Sequence, residues 1–507
     1  MSRTVGTLRL LRMMRLLLAQ DSVLPPDFKK RAPLTLRAAR RIFTLGVPNY
    51  GHSERGEKLS KRIADLGPTY IKLGQFLATR PDVIGANLAT DLRLLQDKMA
   101  PFDQAIAEQL LHDEIPDADR FIVELGAPVA AASIAQVHRA KDARNRDQDL
   151  AVKLLRPNIE TKLRNELRVF FTIARLVERF VPRARRLRPT DSLNVLQRTI
   201  SLETDLRLEA AALSEMYENT KDDPFFTVPK VIWEATSKQI LTMEWIDGTP
   251  ASHVDALTKA GHDMPTLATR LIQTFLNQAL RDGFFHADMH QGNLMIAHDG
   301  ILVGIDFGIV GRLDYDSRRF LAEILHGFIT RDYDKVARVH FEAGYVPKRN
   351  SIDEFAQALR SIGEPIRDQN AENISMANLL THLFDVTAQF EMETQPQLLL
   401  LQKTMVTVEG VARSFDPKLN IWDAAQPIVS TWLKKELGPE GKLREARAGL
   451  KNISRTIKGL PDTLAALQSA ATQLTEPEPQ KPDRVARIIG LTALFIGLYA
   501  IWLFSQN

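Results

Sequence analysis

Two polar motifs, 284-FFHADMHQGNLMI-296 and 304-GIDFGIVG-311, sit close together in stretches that are otherwise apolar. Buried carboxylates, amides and imidazoles are costly without partners. Any fold this chain adopts therefore has to bring both segments to a place where their polar groups are used. A metal site, a catalytic loop, or a polar turn between two strands would each satisfy that demand.

Spacing separates the three. Asn293 follows Asp288 by five residues, and Asp306-Phe307-Gly308 begins eighteen residues beyond Asp288. The phosphoryl-transfer template of protein kinases has this order, H-R-D-x-x-x-x-N and then D-F-G. Magnesium must neutralise phosphate charge in such chemistry, and the Asn293 amide and Asp306 carboxylate are hard oxygen donors suited to it. Asp288 would accept a proton from, or orient, the attacking hydroxyl or water. Upstream, Lys153 in 151-AVK-153 matches the strand lysine of the template. Its acidic partner is expected in 203-ETDLRLEAA-211, where Asp205 and Glu209 share a helix face, and Glu209 is the choice. The segment Ala130, Ala131, Ala132, Ser133, Ile134, Ala135, Gln136, Val137 and His138 stands where a kinase has G-x-G-x-x-G. Alanine restricts the backbone where glycine would free it, so a stiffer loop should cover ATP and hold its phosphates differently. Glu244, near the end of the strand-like 239-QILTMEWI-246, is grouped with the ATP-binding residues. A zinc or iron site at His286, Asp288 and His290, alternating on one strand face, is the competing reading. It leaves Asn293, the D-F-G triplet and Lys153 unexplained.

The rest of the chain fits a bilobal α+β protein. With 44% hydrophobic residues among 507 it can bury a large core in more than one unit. A net charge of +4 gives no reason to expect nucleic acid as a partner. The absence of cysteine excludes disulfides, thiolate metal sites and cysteine nucleophiles. Residues 1–55 open with a basic amphipathic helix, 3-RTVGTLRLLRMMRLLLAQ-20, readable as a membrane-surface helix, a transit peptide or a helix packed on the main domain. A helical region covers 56–120. Residues 121–246 read as a kinase-like N-lobe with inserted helices, including strand-like 228-VPKVIWEA-235 and the arginine-rich 179-RFVPRARRLRP-189. Residues 247–440 read as a helical C-lobe with two short strand-like pieces, and 441–483 as a helical segment with a Pro-rich linker. The apolar run 488-IIGLTALFIGLYAIWLF-504 is long enough to span a bilayer, with a buried core helix as its alternative. The anchor is placed at 484–507, and Lys481, Arg484 and Arg487 orient the folded domain to the cytoplasmic side.

Taken together, 72-KLGQ-75, the alanine-rich loop, Lys153, Glu203 and Asp205 as E-x-D, 286-HADMHQGN-293 and Asp306 resemble the UbiB family of atypical protein-kinase-like proteins, over roughly residues 55–330. The resemblance implies ATP and Mg2+ as cofactors, ATPase or small-molecule kinase activity, and a role in ubiquinone biosynthesis at a bacterial inner membrane, less readily a mitochondrial one. The partners it implies are membrane lipids, prenylated ubiquinone precursors and other enzymes of that pathway; it leaves oligomeric state open. It also implies that Lys72 and Gln75 meet Glu203 and Asp205 over the active site and close the cleft to protein substrates. Gln291 departs from the family pattern, which often has proline there. Two other functions stay open: a nucleotide-binding scaffold without chemistry, and an accessory role in polyprenylphenol hydroxylation.

Overall fold

Period-two alternation builds the first sheet, and it decides where Lys153 points. The computed structural model describes residues 55–95 with short gaps, 99–180, 188–367 and 396–438, with scattered positions elsewhere, chiefly in 9–19, 41–47 and 386–392. Contacts divide the chain into Met1–Leu433, which holds the sheets and the candidate site, and Lys434–Asn507. Helices α1 (Arg55–Ala64), α2 (Pro68–Ala78), α3 (Ala86–Leu92) and α4 (Gln104–Glu114) come first. Pro68 starts α2 at a position where a missing N–H costs nothing. Strands β1 (Ile122–Val123), β2 (Pro128–Ala131), β3 (Ala135–Asp142), β4 (Asp149–Leu155) and β6 (Ile240–Glu244) form an antiparallel sheet in the order β1-β3-β4-β6, with β2 also on β3. Along β4, Leu150, Val152 and Leu154 pack on one face with Ala107 and Leu111 of α4. Ala151 and Leu155 pack on the other, in the core that contains Ala210 and Leu213. Lys153 shares the second face by alternation.

Between β4 and β6 run α5 (Ile159–Phe180), α6 (Pro189–Glu203), α7 (Leu206–Thr220) and β5 (Phe226–Thr227). Leu206, Glu209, Ala210, Leu213 and Met216 are buried along α7, a 3.6-residue stripe that includes one carboxylate. Each fully buried leucine of such a stripe contributes about 1.5–3 kcal/mol.

The second part begins with β7 (Gly248–Pro250), α8 (Val254–Lys259) and α9 (Met264–Leu276). A π-helical turn, Asn277–Asp282, continues α9. Gly283, at φ 64°, ends it; a Cβ there would lie 2.7 Å from Leu313 O, so only glycine fits. Then follow β8 (Phe284–His286), β9 (Leu294–Ala297), β10 (Leu302–Gly304), β11 (Val310–Arg312), α10 (Tyr315–Thr330), α11 (Tyr333–Glu342), α12 (Ile352–Arg367), α13 (Pro396–Phe415) and α14 (Ile421–Leu437). Strands β5-β10-β9-β7 make one small sheet and β11-β8 another. Leu401 and Val408 of α13 share the main core with Leu267 and Leu271 of α9.

Two expectations are corrected, and one of the open readings of the N-terminal helix is chosen. The segment 228–235 is no strand but a single bridge, Val231 to Met243, followed by a short 3-10 turn, because Pro229 lacks a donor and Trp233 is largely exposed. Five short strands, β7 to β11, replace the two strand-like pieces expected after Gly248; pieces of three or four residues are too short to display a period. The N-terminal helix packs on the main domain: Met13 and Leu16 are buried in the main core, and Arg9 Nη1 lies 3.1 Å from Glu166 Oε1. No helix among the described residues is long and apolar enough to cross a membrane, and the expected anchor at 484–507 lies outside them.

Candidate active site

Lys153 occupies the middle of β4, opposite Val137 of β3 and Leu241 of β6. Its ammonium meets two carboxylates: Nζ lies 2.7 Å from Glu209 Oε1 and 2.9 Å from Asp306 Oδ2. Glu209 arrives on the buried stripe of α7. Burial pushes its carboxyl up to about 7, against the opposing pull of Lys153. Burial also works against the Lys153 ammonium, but the charges of Asp306 and Glu209 outweigh it and hold its pKa above the ordinary lysine value. Asp306 remains 41% exposed. Desolvation opposes its ionisation, yet Lys153 and the Gly308 N–H donating to Oδ1 hold it below the usual carboxylate range. One lysine between two carboxylates leaves the cluster short of positive charge to the extent that Glu209 is ionised, and a divalent cation would offset that deficit.

Backbone pairing brings the two polar motifs together. Leu294 pairs with Gly304, Ile305 N donates to Asn293 O at 3.0 Å, and Val310 pairs with His286. The Asn293 Nδ2 donates to Asp288 O at 3.0 Å, which leaves Oδ1 as the acceptor end of the amide. Asn293 Oδ1 and the Asp306 carboxylate are thus hard oxygens on adjoining strand ends, and this donor set fits magnesium, which takes one or two protein oxygens and completes its shell with water and phosphate.

His286 is completely buried and its ring lies 4.5 Å from that of Phe307, joining the motifs by side chain as well. Its Nδ1 accepts from Asp288 N at 3.2 Å, and its backbone N–H donates to Gln278 Oε1 in the π turn. Burial lowers its pKa to about 4, so it is neutral at pH 7 with the proton on Nε2. His290 braces the same loop, its Nδ1 accepting from Gly292 N at 3.0 Å, and its Nε2 stands 3.7 Å from Asp288 Oδ2. The zinc or iron reading of His286, Asp288 and His290 is overturned. Strand β8 ends at His286, so the alternation fails, and among the described residues no three histidines or acids are grouped to hold a metal.

The alanine-rich segment forms a hairpin from β2 into β3, closed by Ala132 N donating to Ala135 O at 2.8 Å. Ala130 is exposed, Ala131 and Ala132 half-buried, and Ser133, Ile134 and Ala135 buried; none of them adopts positive φ. Gln136 and His138 point inward: Gln136 Oε1 accepts from Phe102 N, and its Nε2 donates to His138 Nε2, whose ring donates from Nδ1 to Gly126 O. These two buried side chains set the strand, and Val137 alternates outward beside Lys153. Arg156 clamps the hairpin through Ala132 O and Ala100 O, a role that no motif announced. Glu244 does not join the Lys153 cluster; its carboxylate accepts from Gln148 Nε2 and Lys230 N at the far end of β6.

On α2, Lys72 reaches Glu203 at 2.8 Å, while Gln75 sits partly buried about one turn further along. Asp205 turns to other work, accepting from Arg207 N as the cap of α7 and pairing with the Arg207 guanidinium. Helix α13 reaches the loop that bears Asp288 and Asn293. The buried Thr404 hydroxyl is shared between Ala287 O at 3.0 Å and Leu400 O at 2.8 Å, and Gln291 Nε2 donates to Ser414 Oγ at 2.8 Å.

The ABC1 atypical kinase-like domain matches residues 94–340, and the UbiB helical domain matches residues 359–420. "Probable protein kinase UbiB" of Enterobacter sp. (strain 638) is 39% identical over 430 residues, covering 82% of this chain and 77% of that protein. Its namesake in Aliivibrio fischeri (strain MJ11) is 38% identical over 425 residues, covering 83% and 77%. Among solved structures, the complex of Rv3197 with erythromycin from Mycobacterium tuberculosis superposes with a TM-score of 0.51 at 22% identity, covering 82% of this chain and 99% of the other; this likeness concerns the fold alone.

Proposed function

Since the chain belongs to the UbiB family of atypical kinase-like proteins, we propose that it is a membrane-anchored ATPase or small-molecule phosphotransferase. Its work is to support ubiquinone biosynthesis, by ATP-driven handling of prenylated ring intermediates for other enzymes of that pathway. The observation that carries this reading is the convergence of Lys153 on Glu209 and Asp306, 2.7 and 2.9 Å away, beside a loop bearing Asp288 and Asn293. A polar turn without chemistry has no use for a buried lysine held this way.

In the proposed reaction ATP lies under the hairpin of residues 130–138, with Lys153 on its phosphates and Glu209 holding Lys153 in place. The acceptor, water or a hydroxyl group, gives its proton to the Asp288 carboxylate as its oxygen bonds to the γ-phosphorus. The bond from that phosphorus to the β–γ bridging oxygen breaks, and the electron pair leaves on ADP. Magnesium, held by Asn293 Oδ1 and Asp306, would supply the neutralisation of phosphate charge. Lys72, Gln75 and Glu203 would restrict the cleft to small acceptors. A C-terminal anchor at 484–507 would keep the domain at the bacterial inner membrane, where prenylated precursors partition.

One observation favours a binding-only scaffold: Asp306 Oδ2 is already engaged by Lys153. The deciding experiment is ATP hydrolysis by the full-length protein in liposomes, with and without a soluble phenol resembling the ring precursor. Turnover lost by at least about 100-fold in Lys153→Ala, Asp288→Asn and Asp306→Asn supports the enzyme. Nucleotide binding without turnover in the parent protein would favour the scaffold, and turnover unchanged in Asp306→Asn would remove the metal assignment.

A further inference from the structure

We propose that Lys403, on α13, is a second phosphate-facing cation, contacting the transferring γ-phosphoryl group from the side opposite Lys153. The inference rests on the phosphoryl-transfer reading above and extends it to the helical region that follows the kinase-like domain, to which neither the kinase template nor the motif resemblance gave a chemical part.

Lys403 Nζ stands 4.0 Å from Asp288 Oδ1, with its side chain 55% exposed. This is too long for a hydrogen bond, so the ammonium is near the carboxylate without being consumed by it. Lys153, by contrast, already contacts two acids. Charge spreads over the equatorial oxygens of the phosphoryl group during transfer, and enzymes place cations there beyond the metal itself. An acceptor within reach of Asp288 puts the phosphorus it attacks only a few ångströms further on. A flexible lysine beside the same carboxylate can follow it there.

The placement of Lys403 is not that of a stray surface side chain. Its neighbour Thr404 is completely buried and shares its hydroxyl with Ala287 O, the carbonyl immediately before Asp288. Ten residues on, Ser414 accepts from Gln291 and donates to Val411 O, tying the same helix to the other side of the loop. Gln291 thus does with a hydrogen bond what proline's fixed φ would do through the backbone: it fixes the loop, here relative to α13. The two ties grip the loop on either side of Asp288, at Ala287 and at Gln291, and so set the distance of Lys403 from that carboxylate. His290, whose Nε2 lies 3.7 Å from Asp288 Oδ2, is held in the loop by its Nδ1, which accepts from Gly292 N.

The test compares full-length Lys403→Ala and Lys403→Arg with the parent protein in liposomes, measuring ATP and ADP affinity by displacement of a fluorescent nucleotide alongside ATP turnover. Contact with the γ-phosphoryl group requires that Lys403→Ala weaken ATP several-fold more than ADP and lower kcat by about 10- to 100-fold, with Lys403→Arg recovering most of both. An unchanged ATP to ADP ratio overturns the inference, leaving a surface ion pair with Asp288 if kcat is also unchanged and a packing role if both nucleotides weaken equally. A parent protein that binds ATP but does not hydrolyse it defeats the turnover reading separately, and the affinity ratio still decides for or against Lys403. A parent protein that binds no nucleotide overturns both.

Discussion

His286 has the sharpest pH signature of the candidate site. Its folded-state pKa, about 4, lies below the ordinary 6.5 because the ring is buried against Phe307. A depressed histidine pKa means that the folded state resists the proton that the unfolded state takes up. Its contribution is therefore fully present above pH 6.5 and is lost as pH falls from 6.5 towards 4, by about 3 kcal/mol in all. Denaturant midpoints measured across that range should fall steadily in the parent protein and less steeply in His286→Gln. Equal slopes would show that His286 is charged in the folded protein, or reached by water. The residue types themselves were readable in the sequence, since His286, Asp288, Asn293 and Asp306 follow a spaced template. The burial that neutralises His286 was not, because it comes from tertiary packing such as the contact with the Phe307 ring, which periodicity does not announce.

At the scale of elements, α13 acts as a brace for the loop after β8. Thr404→Val removes the hydroxyl while keeping shape, and leaves the buried Ala287 carbonyl without that partner, a loss of about 1–3 kcal/mol. Turnover should fall while ATP affinity stays within a few-fold, since the hairpin proposed to cover the nucleotide is not touched. Thermal unfolding and nucleotide titration together check this; turnover at the parent level would mean that the brace is redundant. Strand β4 and helix α7 illustrate what pattern can deliver: alternation placed Lys153 on the same face as Ala151 and Leu155, and the i, i+4 relation of Asp205 and Glu209 isolated two candidates on one face. Which of the two reaches Lys153 was settled by the end of the helix, where Asp205 is spent as a cap.

For the whole molecule, the two ends of the chain should behave oppositely. Deleting residues 1–20 exposes the surface that Met13 and Leu16 cover and breaks the Arg9–Glu166 pair. The expected result is a lower unfolding midpoint, by an amount consistent with about 3–6 kcal/mol as an upper bound, and unchanged recovery with liposomes. Deleting 484–507 should do the reverse, leaving the midpoint alone and abolishing recovery with liposomes in a flotation assay. A truncated chain that still floats would place the membrane contact elsewhere, and the arginine-rich region around α5 and α6 would be the next place to look.

What the sequence determined by itself is the set of groups whose chemistry depends on short separations: the loop of Asp288 and Asn293, the D-F-G triplet, the lysine on its alternating strand, and the alanine hairpin. Local geometry fixes those relations, because loops and strands carry their neighbours with them. Only the tertiary structure decided that Arg156 clamps the hairpin, that Glu244 meets Gln148 and Lys230, that the N-terminal helix is part of the core, and that Lys403 comes within 4.0 Å of Asp288 from more than a hundred residues away. Such approaches are set by which apolar faces pack together. Periodicity announces that a face will be buried, but not which other face it will meet.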